Sequence, residues 1–332
     1  MNSPWLLSLS VLIISLIFVN NGLQASLFDN KVVQGFEDLN NSIWVDESIK
    51  LNENSLDSLA NNFYVSTYKV PFISSPREAS KVLREYIKES TRGLIDKEYN
   101  LSSETIFAIV NTYYLKDIWN EYGKDLNFTD HLYDFLSYDN SISSTRLLQG
   151  YYFSSKPYVT ETYRYATTKT ENGFKLKFIV PNDGYTIDDV FTKENLKEIN
   201  SIDGYLAVDD ERREYNHTRC LFPEYEASYD QDIKSTLSRK FGINAIFSID
   251  TANLSNLVGT RAYISEILHQ TKLIVDRKGI EGAAVTVSPA AGAPGPGPYT
   301  DVYHDFIVDK AFGFVITDYK NTILFSGVIK NI

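Results

Sequence analysis

The chain has 332 residues, of which 43% are apolar and 14% aromatic, enough for one large globular domain or two ordinary ones. A formal net charge of −11 argues against nucleic acid and anionic membrane surfaces as partners. The single cysteine, Cys220, excludes an internal disulfide and reads as a small buried hydrophobe. Residues 6–19 form an uncharged apolar run, short for a membrane span and suited to a signal-peptide core. Leu23-Gln24-Ala25 offers a cleavage site before Ser26. No Lys or Arg precedes the run, so the alternative is a buried N-terminal helix. The expected organisation is a leader over residues 1–25 and one domain over 26–332. Asn-x-Ser/Thr triplets at Asn40, Asn100, Asn127, Asn216 and Asn253 are N-glycosylation candidates and agree with a secreted, extracellular chain.

Residues 75–92 read as a helix. Ser75 stands at the N-cap, Pro76 at the first helical position, and Glu78 completes a capping box. Ala79, Val82, Leu83, Tyr86 and Ile87 share one face, and Gly93 ends the helix. Thr105–Leu115 is apolar and β-branched enough for a buried strand. Phe174–Val180 alternates apolar and charged residues, the pattern of a half-buried strand. A second helix is predicted over Tyr229–Phe241, with Ile233 and Leu237 inward and Gly242 after it. Ser288–Pro298 carries too many prolines and glycines for a helix or interior strand and reads as a stiff exposed loop. Ala311–Ile316 and Thr322–Ile329 form a hairpin across Thr317–Asn321. The result is an α+β mixture of helices and largely antiparallel strands without a βαβ rhythm.

No G-x-S-x-G, H-E-x-x-H, C-x-x-C, G-x-x-x-x-G-K or G-x-G-x-x-G motif occurs, and the four histidines have no metal-binding spacing. Asp209-Asp210-Glu211 reads as a solvated turn. The sequence therefore predicts no enzyme, no cofactor and no metal. No Lys/Arg cluster stands out on a predicted helix, so a heparin-type polyanion site is not expected. A monomer is.

One segment does carry a signal. Lys278-Gly279-Ile280-Glu281-Gly282-Ala283-Ala284-Val285-Thr286 is a run of small residues ahead of the Pro/Gly loop. It is followed by the aromatic-rich Phe306–Phe314. The order resembles the C-terminal part of the serpin family. Asn41-Ser42-Ile43-Trp44-Val45, the 75–93 helix, and Val110–Trp119 extend the likeness, the last being similar to the family's N-A-x-x-F-K-G-x-W strand with departures at Thr112, Leu115 and Asp117. Phe222-Pro223-Glu224-Tyr225, Ser265 with His269, and the terminal Leu324–Asn331 complete it. The resemblance implies a large, mostly antiparallel main sheet with further sheets, a helix-rich N-terminal half, and an exposed reactive-centre loop. Against the family, this chain is short at its N-terminus.

The resemblance further implies a suicide inhibitor of serine proteases, an extracellular and elastase-like protease among the candidates. Its hinge, Gly279 to Thr286 (Gly279, Ile280, Glu281, Gly282, Ala283, Ala284, Val285, Thr286), would enter the main sheet as a strand after cleavage. With Ile280 facing inward, Gly282, Ala284, Thr286 and Ser288 face inward too, because strand side chains alternate. Four of these five are small. Ile280 is the exception and overpacks a slot suited to Thr. Arg277 and Lys278 stand where the family carries acidic residues, and Pro289 interrupts the ladder. Counting from Ile280 places the reactive bond near Ala293-Pro294. Cleavage among Ala290, Ala291 and Gly292 suits a protease better than a bond into proline. The alternative is a non-inhibitory serpin that carries or binds another extracellular ligand.

Overall fold

The computed structural model describes residues 37–119, 125–201, 207–280, 299–318 and 320–332. The elements in chain order begin with β1 (Glu37–Asp46), α1 (Glu53–Phe63), β2 (Val65–Val70), α2 (Pro76–Ser90), β3 (Phe107–Leu115) and β4 (Asp117–Ile118). Short strands follow: β5 (Asn127–Phe128), β6 (Tyr133–Leu136), β7 (Ile142–Thr145), β8 (Leu148–Gln149), β9 (Phe153–Ser154) and β10 (Tyr158–Val159). Then come β11 (Tyr163–Lys169), β12 (Lys175–Pro181), α3 (Ile187–Val190), α4 (Lys193–Ser201), β13 (Val208–Asp209), β14 (Glu214–Phe222) and β15 (Tyr225–Asp232). The last are α5 (Lys234–Phe241), β16 (Glu266–Val275), β17 (Gly279–Ile280), β18 (Thr300–Ile307), β19 (Phe312–Thr317) and β20 (Ile323–Ile329). The chain folds as two compact units, one of residues 1–115 with 228–272 and one of 116–227 with 273–332.

In the first unit β1 lies between β2, to which it is parallel, and β3, to which it is antiparallel. β3 pairs in turn with β16, parallel, over Ala108–Thr112. Every residue of β3 is buried because both faces of this sheet are covered. Phe107 and Ile109 join Ile43 and Val45 on the face packed against Leu59 of α1 and Leu237 of α5. Ala108 and Val110 join Trp44 on the face packed against Ala79, Leu83 and Ile87 of α2. The 3.6-residue period of α2 places those three in one stripe.

Two expectations for α2 need correction. Val82 is exposed and lies off the buried stripe. Ser75 makes no side-chain hydrogen bond to the helix, so the expected capping box is not formed. A capping box does occur at α3, between Thr186 and Asp189. Beyond the C-terminus of α2, Gly93 takes a φ of +86°, a conformation that glycine adopts without strain. The sequence also obscured a charge pattern. Arg77, Lys81, Arg84 and Lys88 recur at helical spacing along α2.

The second unit contains a five-stranded sheet in the order β10-β11-β12-β19-β20, antiparallel throughout. β19 and β20 are the hairpin expected near the C-terminus, with Asn321 at φ +65° in its turn. A six-stranded sheet is built around β14, which pairs with β13, β8, β9 and, in parallel, β18. β12 is not half-buried: Lys175 and Lys177 are enclosed along with its apolar residues. Lys177 Nζ donates 3.1 Å to the carbonyl of Ile199 in the last turn of α4. A cation there satisfies a free helix carbonyl and meets the negative end of the helix dipole. Lys177→Ala is therefore expected to destabilise the protein by about 1–3 kcal/mol, measured by urea unfolding. An effect no larger than that of an exposed Lys193→Ala would show that this contact contributes little.

The helix predicted over Tyr229–Phe241 begins only at Lys234, because the preceding residues belong to β15. Its C-terminus is as read, with Gly242 at φ +70°.

Candidate functional site

The root of the small-residue segment lies in the second unit. β16 ends at Val275, and the chain turns back through residues 276–278 into β17. Ile280 pairs with Val275 across this turn. On its other side β17 pairs antiparallel with β4, Gly279 opposite Ile118 and Ile280 opposite Asp117. Ile280 is fully buried. Its branched side chain is enclosed at the root of the segment.

The turn is held from several directions. Asp276 Oδ1 accepts from the backbone N–H groups of Lys278, at 2.7 Å, and Gly279, at 3.2 Å. Trp119 Nε1 donates to the Asp276 carbonyl at 2.7 Å. The Arg277 N–H donates to Glu224 Oε1 at 3.0 Å, and its Nε donates to the Leu126 carbonyl at 3.2 Å. The guanidinium lies 5.4 Å from the centre of the Phe128 ring. Arg277 is thus a structural clamp on the turn.

Gly279 is needed for space. A Cβ at this position would lie 1.9 Å from the Asp117 carbonyl oxygen and 2.9 Å from Ile118 Cα. Both are backbone atoms of a paired strand.

Asp117 is the residue whose part here was not evident from sequence. Its side chain is buried and accepts from Ile118 N (2.9 Å), Asn172 N (3.0 Å) and Asn172 Nδ2 (2.7 Å). Burial holds the carboxyl above the usual carboxylate range, opposed by hydrogen bonds from Thr170 and Asn172. Asp117 thereby ties the turn between β11 and β12 to β4, against which β17 rests. Asp117→Ala is expected to cost about 1–3 kcal/mol, because it leaves the Asn172 donors without an acceptor. A melting curve unchanged by the substitution would remove Asp117 from this support.

In the first unit the β3–β16 seam is polar. Asn111 donates from Nδ2 to Asn41 Oδ1 at 2.5 Å, and His269 Nδ1 lies 3.1 Å from Asn111 Oδ1. Tyr99 donates to Gln270 Oε1 at 2.5 Å. Ser265 Oγ accepts from the Ile106 N–H at 3.2 Å.

Burial lowers the His269 pKa from its ordinary 6.5. The folded state then binds fewer protons than the unfolded state around that pH. The contribution is therefore present in full above 6.5 and is lost as pH falls through the depressed folded value. Urea unfolding at pH 7.5 and 5.5 should show wild type losing more stability on acidification than His269→Gln. Equal losses would mean that His269 is not the group responsible.

Glu281 to Thr286 (Glu281, Gly282, Ala283, Ala284, Val285, Thr286) and the reactive-bond candidates Ala290, Ala291, Gly292, Ala293 and Pro294 lie outside the described residues, as do residues 1–25. Of the glycosylation candidates, Asn100, Asn127 and Asn253 are exposed and Asn40 is half-buried. Asn216 is fully buried, donating to the Ala207 carbonyl and accepting from His304 Nε2 at 2.7 Å. A glycan does not fit on Asn216 in this fold. Among the described residues, no group of His, Cys, Asp and Glu side chains could hold a metal ion, and no helix is long and apolar enough to cross a membrane.

A family model described as Serpin (serine protease inhibitor) matches residues 26–332, and the chain belongs to the serpin family. Alpha-1-antiproteinase of Rattus norvegicus is 26% identical over 290 residues, spanning 80% of this chain and 62% of that protein. Alpha-1-antitrypsin of Sus scrofa is 25% identical, spanning 88% of this chain and 65% of that protein. The chain thus spans somewhat less than two thirds of these relatives. Serpin B3 of Homo sapiens is 26% identical, with 90% and 75% covered. Solved structures share the fold, among them the following two. Tengpin in its native state has a TM-score of 0.69 at 20% identity, covering 89% of this chain and 73% of that one. Thyroxine-binding globulin in complex with thyroxine has a TM-score of 0.71 at 17% identity, covering 95% and 81%.

Proposed function

We propose that this serpin is a secreted suicide inhibitor of an extracellular serine protease, elastase-like in its preference, acting as a monomer after loss of residues 1–25. The reading rests on the hinge root. Gly279 and Ile280 already form a strand paired on both sides, so the first residues of an inserted strand are in register. In the first unit β3 and β16 still pair directly over five residue pairs. Entry of the segment after Ile280 would replace those parallel pairs with two antiparallel ladders. Cleavage among Ala290, Ala291 and Gly292 frees the segment to enter, and Gly282, Ala284, Thr286 and Ser288 follow Ile280 on the inward face. Pro289 lacks the N–H that an interior strand requires and limits entry to the residues before it. Glycans are proposed on Asn100, Asn127 and Asn253, whose side chains are exposed.

The test is incubation of the full chain with pancreatic elastase, trypsin and chymotrypsin. The reading requires a covalent complex that survives boiling in detergent. Clean cleavage in the loop without a complex, by all three proteases, would overturn it.

The second reading is a non-inhibitory carrier. Pro289 and Pro294 favour it, because both oppose a long inserted strand. Thyroxine-binding globulin, which shares this fold, has been solved in complex with thyroxine, and this supports the reading. This reading predicts cleavage with no complex and no gain in thermal stability.

A further inference from the structure

A groove of about 610 Å³ opens in the first unit between the start of α2 and residues 98–101, within the size range of small-molecule sites. Arg77, Lys81 and Arg84 line it. Arg77 and Lys81 are exposed and, among the described residues, have neither a hydrogen-bond nor an ion-pair partner. Arg84 and Lys88 share one carboxylate, Asp96, at 2.6 and 2.8 Å, so that trio keeps a positive charge. Two acids also border the groove. Glu98 is 3.9 Å from Arg84 with its side chain 85% exposed, and Glu85 is exposed. Both can turn toward water. Pro76 and Arg77 belong to the first turn of α2, where Glu78 offsets the positive end of the helix dipole, so the attraction for an anion comes from the side-chain cations. In a chain of net charge −11, these positive groups are concentrated on one face of one helix.

We infer that this groove binds a small polyanion, a sugar-sized molecule carrying clustered phosphate or sulfate esters. Arg77 and Arg84 suit such groups because guanidinium forks match their oxygens, and Lys81 adds a point charge. The site also bears on the sheet beneath it. Tyr99 lines the groove and donates its hydroxyl to Gln270 of β16, whose register partner is Thr112 of β3. A ligand that joins α2 to residues 98–101 holds Tyr99 on Gln270 and slows the parting of β3 from β16. This second effect rests on the loop-insertion reading above. The binding site does not.

The test uses the full chain made in bacteria, since Asn100 at the rim heads a sequon and a glycan there would crowd the groove. Inositol hexakisphosphate and sucrose octasulfate are titrated calorimetrically at low salt. At least one should bind one-to-one. Its affinity should fall at least tenfold in the double variant Arg77→Ala/Lys81→Ala, stay unchanged in the control Lys193→Ala, and weaken as salt rises. Binding of one probe alone identifies the ester type. Circular dichroism checks that the double variant is folded; if it is not, Arg77→Gln and Lys81→Gln are titrated singly, each expected to lose at least threefold. Absence of saturable binding by both probes, or equal loss in Lys193→Ala, overturns the site. For the second effect, the probe should slow formation of the detergent-resistant complex with elastase in wild type but not in the double variant. An unchanged rate with bound probe overturns the brake and leaves the site standing. Failure to form any complex without probe overturns the inhibitory reading, while the titration still decides the site.

Discussion

Replacing Gly279 with alanine is expected to displace the hinge root from its strand. The added Cβ would sit 1.9 Å from the Asp117 carbonyl oxygen, far inside contact distance. The obstructing atom is backbone in β4, whose neighbour Ile118 accepts from the Glu171 N–H at 2.9 Å. No side-chain rotation relieves such a clash, so either β4 or β17 must shift. Overpacking at a rigid site costs about 3 kcal/mol, which in a chain of this length lowers the melting temperature by roughly 4 °C. The displaced root should also raise the rate of proteolysis near residue 280. Calorimetry and limited proteolysis of Gly279→Ala check both effects. A variant with wild-type melting and wild-type proteolysis would mean that β17 and β4 are not paired as described.

The second large effect concerns a residue beyond the root. Ile280 faces inward and is buried, so alternation places Ala284 inward and Val285 outward in an inserted strand. Ala284→Arg would bury an unpaired guanidinium, which costs several kcal/mol. If the chain inhibits as proposed, insertion should then lose to hydrolysis of the acyl-enzyme, and the variant should behave as a substrate. The amount of protein needed to silence one equivalent of elastase should rise at least tenfold. Val285→Arg points the same charge at the outer face and should change it far less. Equal effects of the two substitutions would show that the segment does not enter as a strand in this register.

The sequence was most legible where one physical pattern acted alone. The stripe Ala79, Leu83 and Ile87 specified α2 and its buried face. The mostly apolar, β-branched character of β3 signalled a strand covered on both faces. Gly242 marked the end of α5. Legibility failed where tertiary neighbours decided the outcome. Lys175 and Lys177 alternate with apolar residues and suggest a wet face, yet Asn321 and the end of α4 supply partners for the two ammonium groups. Tyr225–Asp232 became strand although its polar residues suit a helix start, since strand propensity depends on the neighbours a sheet provides. Asn216 fits the glycosylation triplet, but β14 carries it into the interior.

The candidate site was half legible. The segment proposed as the hinge stands out in the sequence as a run of small residues, of which Gly279 and Ile280 are described. The clamp that positions its root was not legible, because Trp119, Glu224 and Asp276 come together only through long-range folding. Asp117 stood out only as a departure from the family pattern, and its role emerged with the buried contacts to Asn172.

The central claim is that the segment after Ile280 enters the sheet once the loop is cut. Calorimetric melting of the full chain, before and after a single cleavage between residues 287 and 292, tests it directly. Insertion should raise the melting temperature by roughly 7 °C or more, the shift that about 5 kcal/mol produces in a chain of this size. A cleaved chain that melts at or below the temperature of the intact one would contradict the claim.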